Sequence, residues 1–150
     1  MRIYRLQSDF KKLKKLTSSK SFLNISWEGE LPERYVITYK CKGLVLEKNY
    51  STPQIKNQHQ LKIYLHKDYP RRPPKLKFLT DIFHPNMLPS YKNGGVCIGA
   101  WTPAESLSQL CIRIGKMIEY QIYNLNDELN KEAVSWVKKN TDKLPVDTKF

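Results

Sequence analysis

The chain predicts an α+β fold: an N-terminal helix, four antiparallel strands in a meander, a long irregular segment and two C-terminal helices. Three observations carry that expectation. Apolar residues recur at steps of three and four at both ends of the chain, and between about residues 22 and 80 they alternate. From Phe83 to Trp101 (FHPNMLPSYKNGGVCIGAW) neither period holds. An irregular segment of that length between regular elements is more often functional than decorative.

Taken in order, Ile3, Leu6, Phe10, Leu13 and Leu16 form one helical stripe. The opposite face carries Arg2, Arg5, Lys11, Lys12, Lys14 and Lys15, and Thr17 to Ser19 end the helix. Phe22 to Trp27 reads as a strand. In the next, Tyr35, Ile37, Tyr39 and Cys41 point inward, and Gly43 to Glu47 continue it after a bulge. Residues 48–57 form a polar loop. His59 to Leu65 and Leu76 to Thr80 complete the meander, with the Pro-rich turn Tyr69 to Pro74 kept off the sheet because proline lacks a ladder donor. Thr102-Pro103-Ala104-Glu105 carries the marks of a helix start: a threonine cap, proline in the first turn and a glutamate to close a capping box. Leu107, Leu110, Cys111, Ile114, Met117 and Ile118 follow at helical spacing. Asn126 or Asp127 caps a last helix that buries Leu129, Ala133, Trp136 and Val137, and a polar tail begins at Asp142.

The totals bound the function. A chain of 150 residues with 40% hydrophobic content is expected to form one domain over 1–150 without staples. Its N-terminus lacks the continuous apolar region of a secretory signal. Three cysteines, Cys41, Cys97 and Cys111, without CxxC spacing point to free thiols in a reducing, cytoplasmic setting. The net charge of +12 is lopsided: residues 1–75 hold 17 Lys or Arg against 6 Asp or Glu, whereas residues 76–150 hold 9 against 8. The basic half suits an acidic partner, either a protein surface or nucleic acid, or serves as a solubilising face. No histidine or cysteine spacing matches a metal site, and no metal or cofactor is expected.

Cys41 and Cys111 fall on apolar stripes and read as core. Cys97 differs. It lies among Gly94, Gly95 and Gly99 shortly before a helix start, where backbone can approach a ligand and a helix N-terminus favours thiolate. The alternative is a small hydrophobe buried under a loop. Asn86, in His84-Pro85-Asn86, offers a fixed amide that can donate to an oxyanion formed at an acyl carbon, or else a hydrogen-bonded turn.

The combination Tyr69-Pro70 with Pro73-Pro74, Phe78, Ile82-Phe83-His84-Pro85-Asn86, Gly95-Val96-Cys97-Ile98 and Trp101-Thr102-Pro103 resembles the ubiquitin-conjugating enzymes over nearly the whole chain. The resemblance implies that fold and an acyl relay. Cys97 would accept the C-terminus of a ubiquitin-like modifier, or another protein C-terminus, as a thioester from an activating enzyme, and an amine on a target would then take it. Among the implied site residues Cys97, Asn86, His84 and Asp127, Asn86 would stabilise the oxyanion or hold the loop. Asp127 would orient and deprotonate the amine, unless it serves as a helix cap. The basic N-terminal helix is similar to the family's docking surface for the activating enzyme.

Two departures stand out. The Asn86–Cys97 spacing is longer than usual, with Met87 to Lys92 supplying the extra length, and the part after Cys97 is shortened. Shortened forms resemble bacterial standalone members from conjugation operons. Some of those operons are antiphage systems of the CBASS type, in which a cGAS-like nucleotidyltransferase is a candidate target. Two other classes compete: a non-catalytic scaffold of the same fold, and a nucleic-acid-binding module. The cysteine framed by glycines argues against the first, and the absence of any RNA- or DNA-binding motif against the second.

Overall fold

The computed structural model describes residues 1–150. Its elements are α1 (Arg2–Ser19), β1 (Leu23–Trp27), β2 (Arg34–Tyr39), β3 (Gly43–Val45), β4 (Gln54–Lys56), β5 (His59–Tyr64), β6 (Lys75–Phe78), α2 (Leu107–Ile118) and α3 (Lys131–Lys139). Four strands form the expected antiparallel sheet in the order β1-β2-β5-β6. The register places Ile37 opposite both Ile25 and Leu61, and Leu61 opposite Phe78. Strand alternation thereby puts Tyr35, Ile37, Tyr39, Leu61, Ile63 and Phe78 on one buried face. That face packs on Leu6 and Leu13 of α1 and on Leu110, Cys111 and Ile114 of α2. Burying a leucine fully contributes about 1.5–3 kcal/mol, so the pair contributes about 3–6 kcal/mol to docking α1.

Helix α1 runs through Thr17, Ser18 and Ser19, each hydroxyl donating to the carbonyl three residues back. Of the three acceptors, Leu16 is among the last four carbonyls, which lack an intrahelical N–H. Its apolar stripe is not uniformly buried: Ile3 is exposed, and the third buried residue is Asp9. Asp9 accepts from Arg5 Nε (2.7 Å), from the Tyr69 hydroxyl, and from the backbone N–H of Leu107 (3.0 Å). One carboxylate thus joins α1, the Pro-rich turn and the first residue of α2. Arg2 and Arg5 are accordingly turned into the fold, and only Lys11, Lys12, Lys14 and Lys15 of the basic set stand exposed.

Four local expectations are corrected. Gly43–Val45 does not extend β2 but pairs with β4 in a separate two-stranded sheet, so part of the supposed polar loop is strand. Gly43 is there for close approach: a Cβ would lie 2.7 Å from the His59 ring. Helix α2 starts at Ser106, not Thr102. Ser106 Oγ accepts from Gln109 N–H and Gln109 Oε1 accepts from Ser106 N–H, while Thr102–Glu105 closes a turn. Helix α3 is capped by Asn130, whose Oδ1 accepts from Ala133 N–H (3.1 Å), so neither Asn126 nor Asp127 is its cap. Finally, the tail is not polar throughout. Phe150 packs edge-on against Phe22 and lies over Gly115, and buried Glu119 accepts from the N–H groups of Lys149 and Phe150. Helix α3 covers a second apolar cluster built from Leu44, Phe83, Tyr120, Ala133 and Val137.

Candidate active site

The irregular segment is tightly bonded despite its lack of period. His84 is fully buried against Tyr120, their ring centroids 4.7 Å apart. Its Nδ1 accepts from the Asn86 N–H (3.0 Å), which fixes the proton on Nε2. Nε2 has no partner in good geometry, the Met117 carbonyl being the acceptor on that side. Burial holds the imidazole neutral, its pKa pushed down to about 3. His84 is therefore closed off from solvent, and what it does in this structure is hold the turn that carries Asn86.

Asn86 is the hub. Its Nδ2 donates to the carbonyls of Asn124 (2.7 Å) and Asp127 (2.9 Å), and its Oδ1 accepts from the Asn124 N–H (2.9 Å). Both amide hydrogens are spent on backbone, so the side chain straps the 124–127 segment instead of facing open space. The Asn86 carbonyl accepts from the Cys97 N–H (2.8 Å), and the neighbouring Pro85 carbonyl accepts from the Asn130 N–H at the start of α3. The segment folds back onto β6 at Gly94. Gly94 donates to Pro89 and accepts from Phe78, and its positive φ of 65° with a would-be Cβ 2.5 Å from the Phe78 carbonyl admits only glycine.

The three thiols separate by environment. Cys41 and Cys111 are buried, and burial pushes each pKa up to about 12, which leaves them protonated and inert. Cys97 is partly exposed. It opens into a shallow groove of about 220 Å³ that it shares with Asn86, Asp127, Arg113, Met117 and Tyr123. Of the four residues expected at the site, Cys97, Asn86 and Asp127 thus meet in one groove, and His84 lies behind it. Asp127 is partly exposed, and its Oδ2 accepts from Asn124 Nδ2 (3.2 Å). The thiol lies beside the body of α2, where Arg113 and Met117 sit, rather than at the N-terminus of that helix, which Ser106 and Asp9 occupy. A helix dipole is therefore not the local charge at this thiol.

Sequence reasoning passed over Arg113. Its Nε and Nη2 hold the Glu105 carboxylate in a two-pronged pair (2.9 and 2.8 Å), and its Nη1 donates to the Ile98 carbonyl next to the thiol. The signal was present as an arginine inside the apolar run of α2, three residues after Leu110 and one before Ile114. Trp101 anchors the short stretch after Cys97 by donating from Nε1 to the Pro70 carbonyl (2.9 Å), beside the cis Tyr69–Pro70 peptide.

Comparison with known proteins identifies the family. A family model described as ubiquitin-conjugating enzyme matches residues 5–146. Ubiquitin-conjugating enzyme E2 16 of Schizosaccharomyces pombe is 35% identical over 98 residues, covering 63% of this chain and 59% of that protein. Ubiquitin-conjugating enzyme E2 S of Branchiostoma floridae is 37% identical over 86 residues, 55% of this chain and 38% of that one. The matched stretches thus span less than two thirds of either relative's length. A solved structure known as Novel Ubiquitin-Conjugating Enzyme shares the fold at a TM-score of 0.67 and 22% identity, over 93% of this chain and 86% of that one. With the family model running through nearly every element that builds the groove, the chain belongs to the ubiquitin-conjugating enzyme family.

Proposed function

We propose that this chain is a conjugating enzyme that carries a ubiquitin-like modifier as a thioester on Cys97 and passes it to an amine. The observation that carries the reading is the groove itself: the one partly exposed thiol opens into it, the Cys97 backbone N–H is held by the Asn86 carbonyl, and Asp127 lines the same groove. In the first step the Cys97 thiolate attacks the acyl carbon of the donor thioester, and the donor's sulfur leaves. In the second an amine attacks the Cys97 thioester, a C–N bond forms, and Cys97 leaves as thiolate. Asp127 accepts the proton that the amine loses. Asn86 positions Asp127 and Cys97 relative to each other, and His84 supports Asn86. The exposed lysines of α1 form the seat for the activating enzyme, and the free thiols suit a reducing cytoplasm.

A finer reading places the chain among bacterial members in antiphage operons, with a cGAS-like target. It rests on the elongated 87–92 stretch and the short region after Cys97, and the neighbouring genes decide it. The test of the main reading needs no activating enzyme. The chain is mixed with ubiquitin bearing a C-terminal mercaptoethanesulfonate thioester, and a reductant-sensitive adduct is followed on a gel. Cys41→Ala and Cys111→Ala should charge like the parent, Cys97→Ser should give a reductant-resistant ester or none, and Cys97→Ala should give none. An adduct that survives Cys97→Ala overturns the assignment.

A further inference from the structure

Attack of an amine on the Cys97 thioester moves the carbonyl π electrons onto oxygen. That oxyanion lasts until the C=O re-forms, the C–S bond breaks and the thiolate departs. Negative charge therefore develops in the groove twice, first on oxygen and then on sulfur. The expected donor, Asn86, has both amide hydrogens on the carbonyls of Asn124 and Asp127. Nothing remains on it for an oxyanion. Among the side chains that line the groove only Arg113 is cationic. A guanidinium has five N–H donors. Three are used, on the two Glu105 oxygens and the Ile98 carbonyl, so one remains on each terminal nitrogen. The Glu105 pair and the Ile98 bond also fix the guanidinium plane, and with 26% of its side chain exposed Arg113 lines the same groove as Cys97. A donor held rigidly before reaction is the kind that lowers a barrier, since nothing has to reorganise as charge appears.

From this we infer that Arg113 supplies the positive charge and the N–H donor for the anion formed at Cys97, with Glu105 setting its strength. The inference rests on the reading of Cys97 as acyl carrier. The Glu105 carboxylate partly neutralises the guanidinium, so removing its charge while keeping an acceptor oxygen to hold the plane, as Glu105→Gln does, should strengthen the effect, and removing the guanidinium should abolish it. A merely structural ion pair predicts something else: either change breaks the pair, and both variants suffer alike.

The experiment compares Arg113→Gln, Arg113→Lys, Glu105→Gln and Tyr123→Phe with the parent. Two readouts are used: the rate at which iodoacetamide alkylates Cys97 at neutral pH in a Cys41→Ala, Cys111→Ala background, and single-turnover discharge of the Cys97–ubiquitin thioester to free lysine. Arg113→Gln should slow discharge by about a hundredfold, the usual loss of one oxyanion donor, and slow alkylation as well. Arg113→Lys should recover part of both rates. Glu105→Gln should raise the alkylation rate. Tyr123→Phe, which removes a hydroxyl donor that lines the groove, should leave discharge within about twofold of the parent. Equal losses in Arg113→Gln and Glu105→Gln, or a loss confined to Tyr123→Phe, overturn the inference. Alkylation needs no modifier, so a parent that alkylates but never charges tells against the acyl-carrier reading rather than against Arg113.

Discussion

Asn86→Ala is the substitution that best separates strap from oxyanion donor. The side chain makes three hydrogen bonds to backbone, at 2.7, 2.9 and 2.9 Å, and the residue is 2% exposed. Each such bond is worth about 1 kcal/mol net, and a buried backbone group left without a partner costs up to about 3 kcal/mol. The 124–127 segment lies at the surface, so water reaches some of the groups set free and the lower figure applies. The expected loss is therefore about 2–3 kcal/mol, a fall in Tm of roughly 5–10 °C for a chain of this size. Guanidinium unfolding should show a lower midpoint at unchanged slope, and amide exchange should quicken over residues 124–129 more than in the sheet. Discharge to lysine should fall because Asp127 loses its hold. A midpoint within about 0.5 kcal/mol of the parent, together with a large loss of discharge, would refute the strap and return the amide to the reaction itself.

Three further outcomes follow from the packing. Asp9→Asn leaves Arg5 without its counter-ion at a site where the acid is 1% exposed, and should cost about 3–5 kcal/mol by denaturant titration; a cost under about 1 kcal/mol would show that the triple acceptor is not needed. Gly115→Ala would set a Cβ 2.7 Å from the Phe150 ring and should cost about 1–3 kcal/mol, yet become neutral or stabilising in a Phe150→Ala background where helix propensity alone remains; equal cost in both backgrounds would exclude the clash. His59 and His84 are buried with pKa values lowered to about 4 and about 3, below their ordinary 6.5. The unfolded chain then binds more protons than the fold, so the stability they contribute is present above pH 6.5 and is lost as pH falls towards 4 and 3, by at most about 1.4 kcal/mol per pH unit for each ring. His59→Gln should reduce that slope by one proton, and a slope unchanged by it would mean the ring is not held neutral.

The four-strand meander was legible in the sequence because strand alternation is a local property, and so were the helices with full apolar stripes. Boundaries failed wherever distant groups decided them. Two capping boxes stand back to back, Thr102 with Glu105 and Ser106 with Gln109. The second wins because Asp9, far earlier in the chain, takes the Leu107 N–H, and because Arg113 claims Glu105. The small β3–β4 sheet escaped notice for a similar reason: three-residue strands carry too little period to read. At the site, Cys97 and Asn86 could be picked out from glycines and a motif. What Asn86 does could not, since its partners lie 38 and 41 residues away, and neither could the placing of Arg113 beside the thiol.

The contacts around Asp9 have one more consequence. Asp9 holds Arg5, Arg5 reaches the Glu105 carbonyl, the Glu105 carboxylate holds Arg113, and Arg113 grips the Ile98 carbonyl next to Cys97. Ion pairs and hydrogen bonds to backbone carbonyls thus alternate without a break from the inner side of α1 to the residue after the thiol. The helix whose outer lysines would receive a partner thus also supports the wall of the Cys97 groove. Removing it would cost more than a docking surface: the sheet would lose the cover of Leu6 and Leu13, and the Ile98 carbonyl would lose the groups that fix its partner.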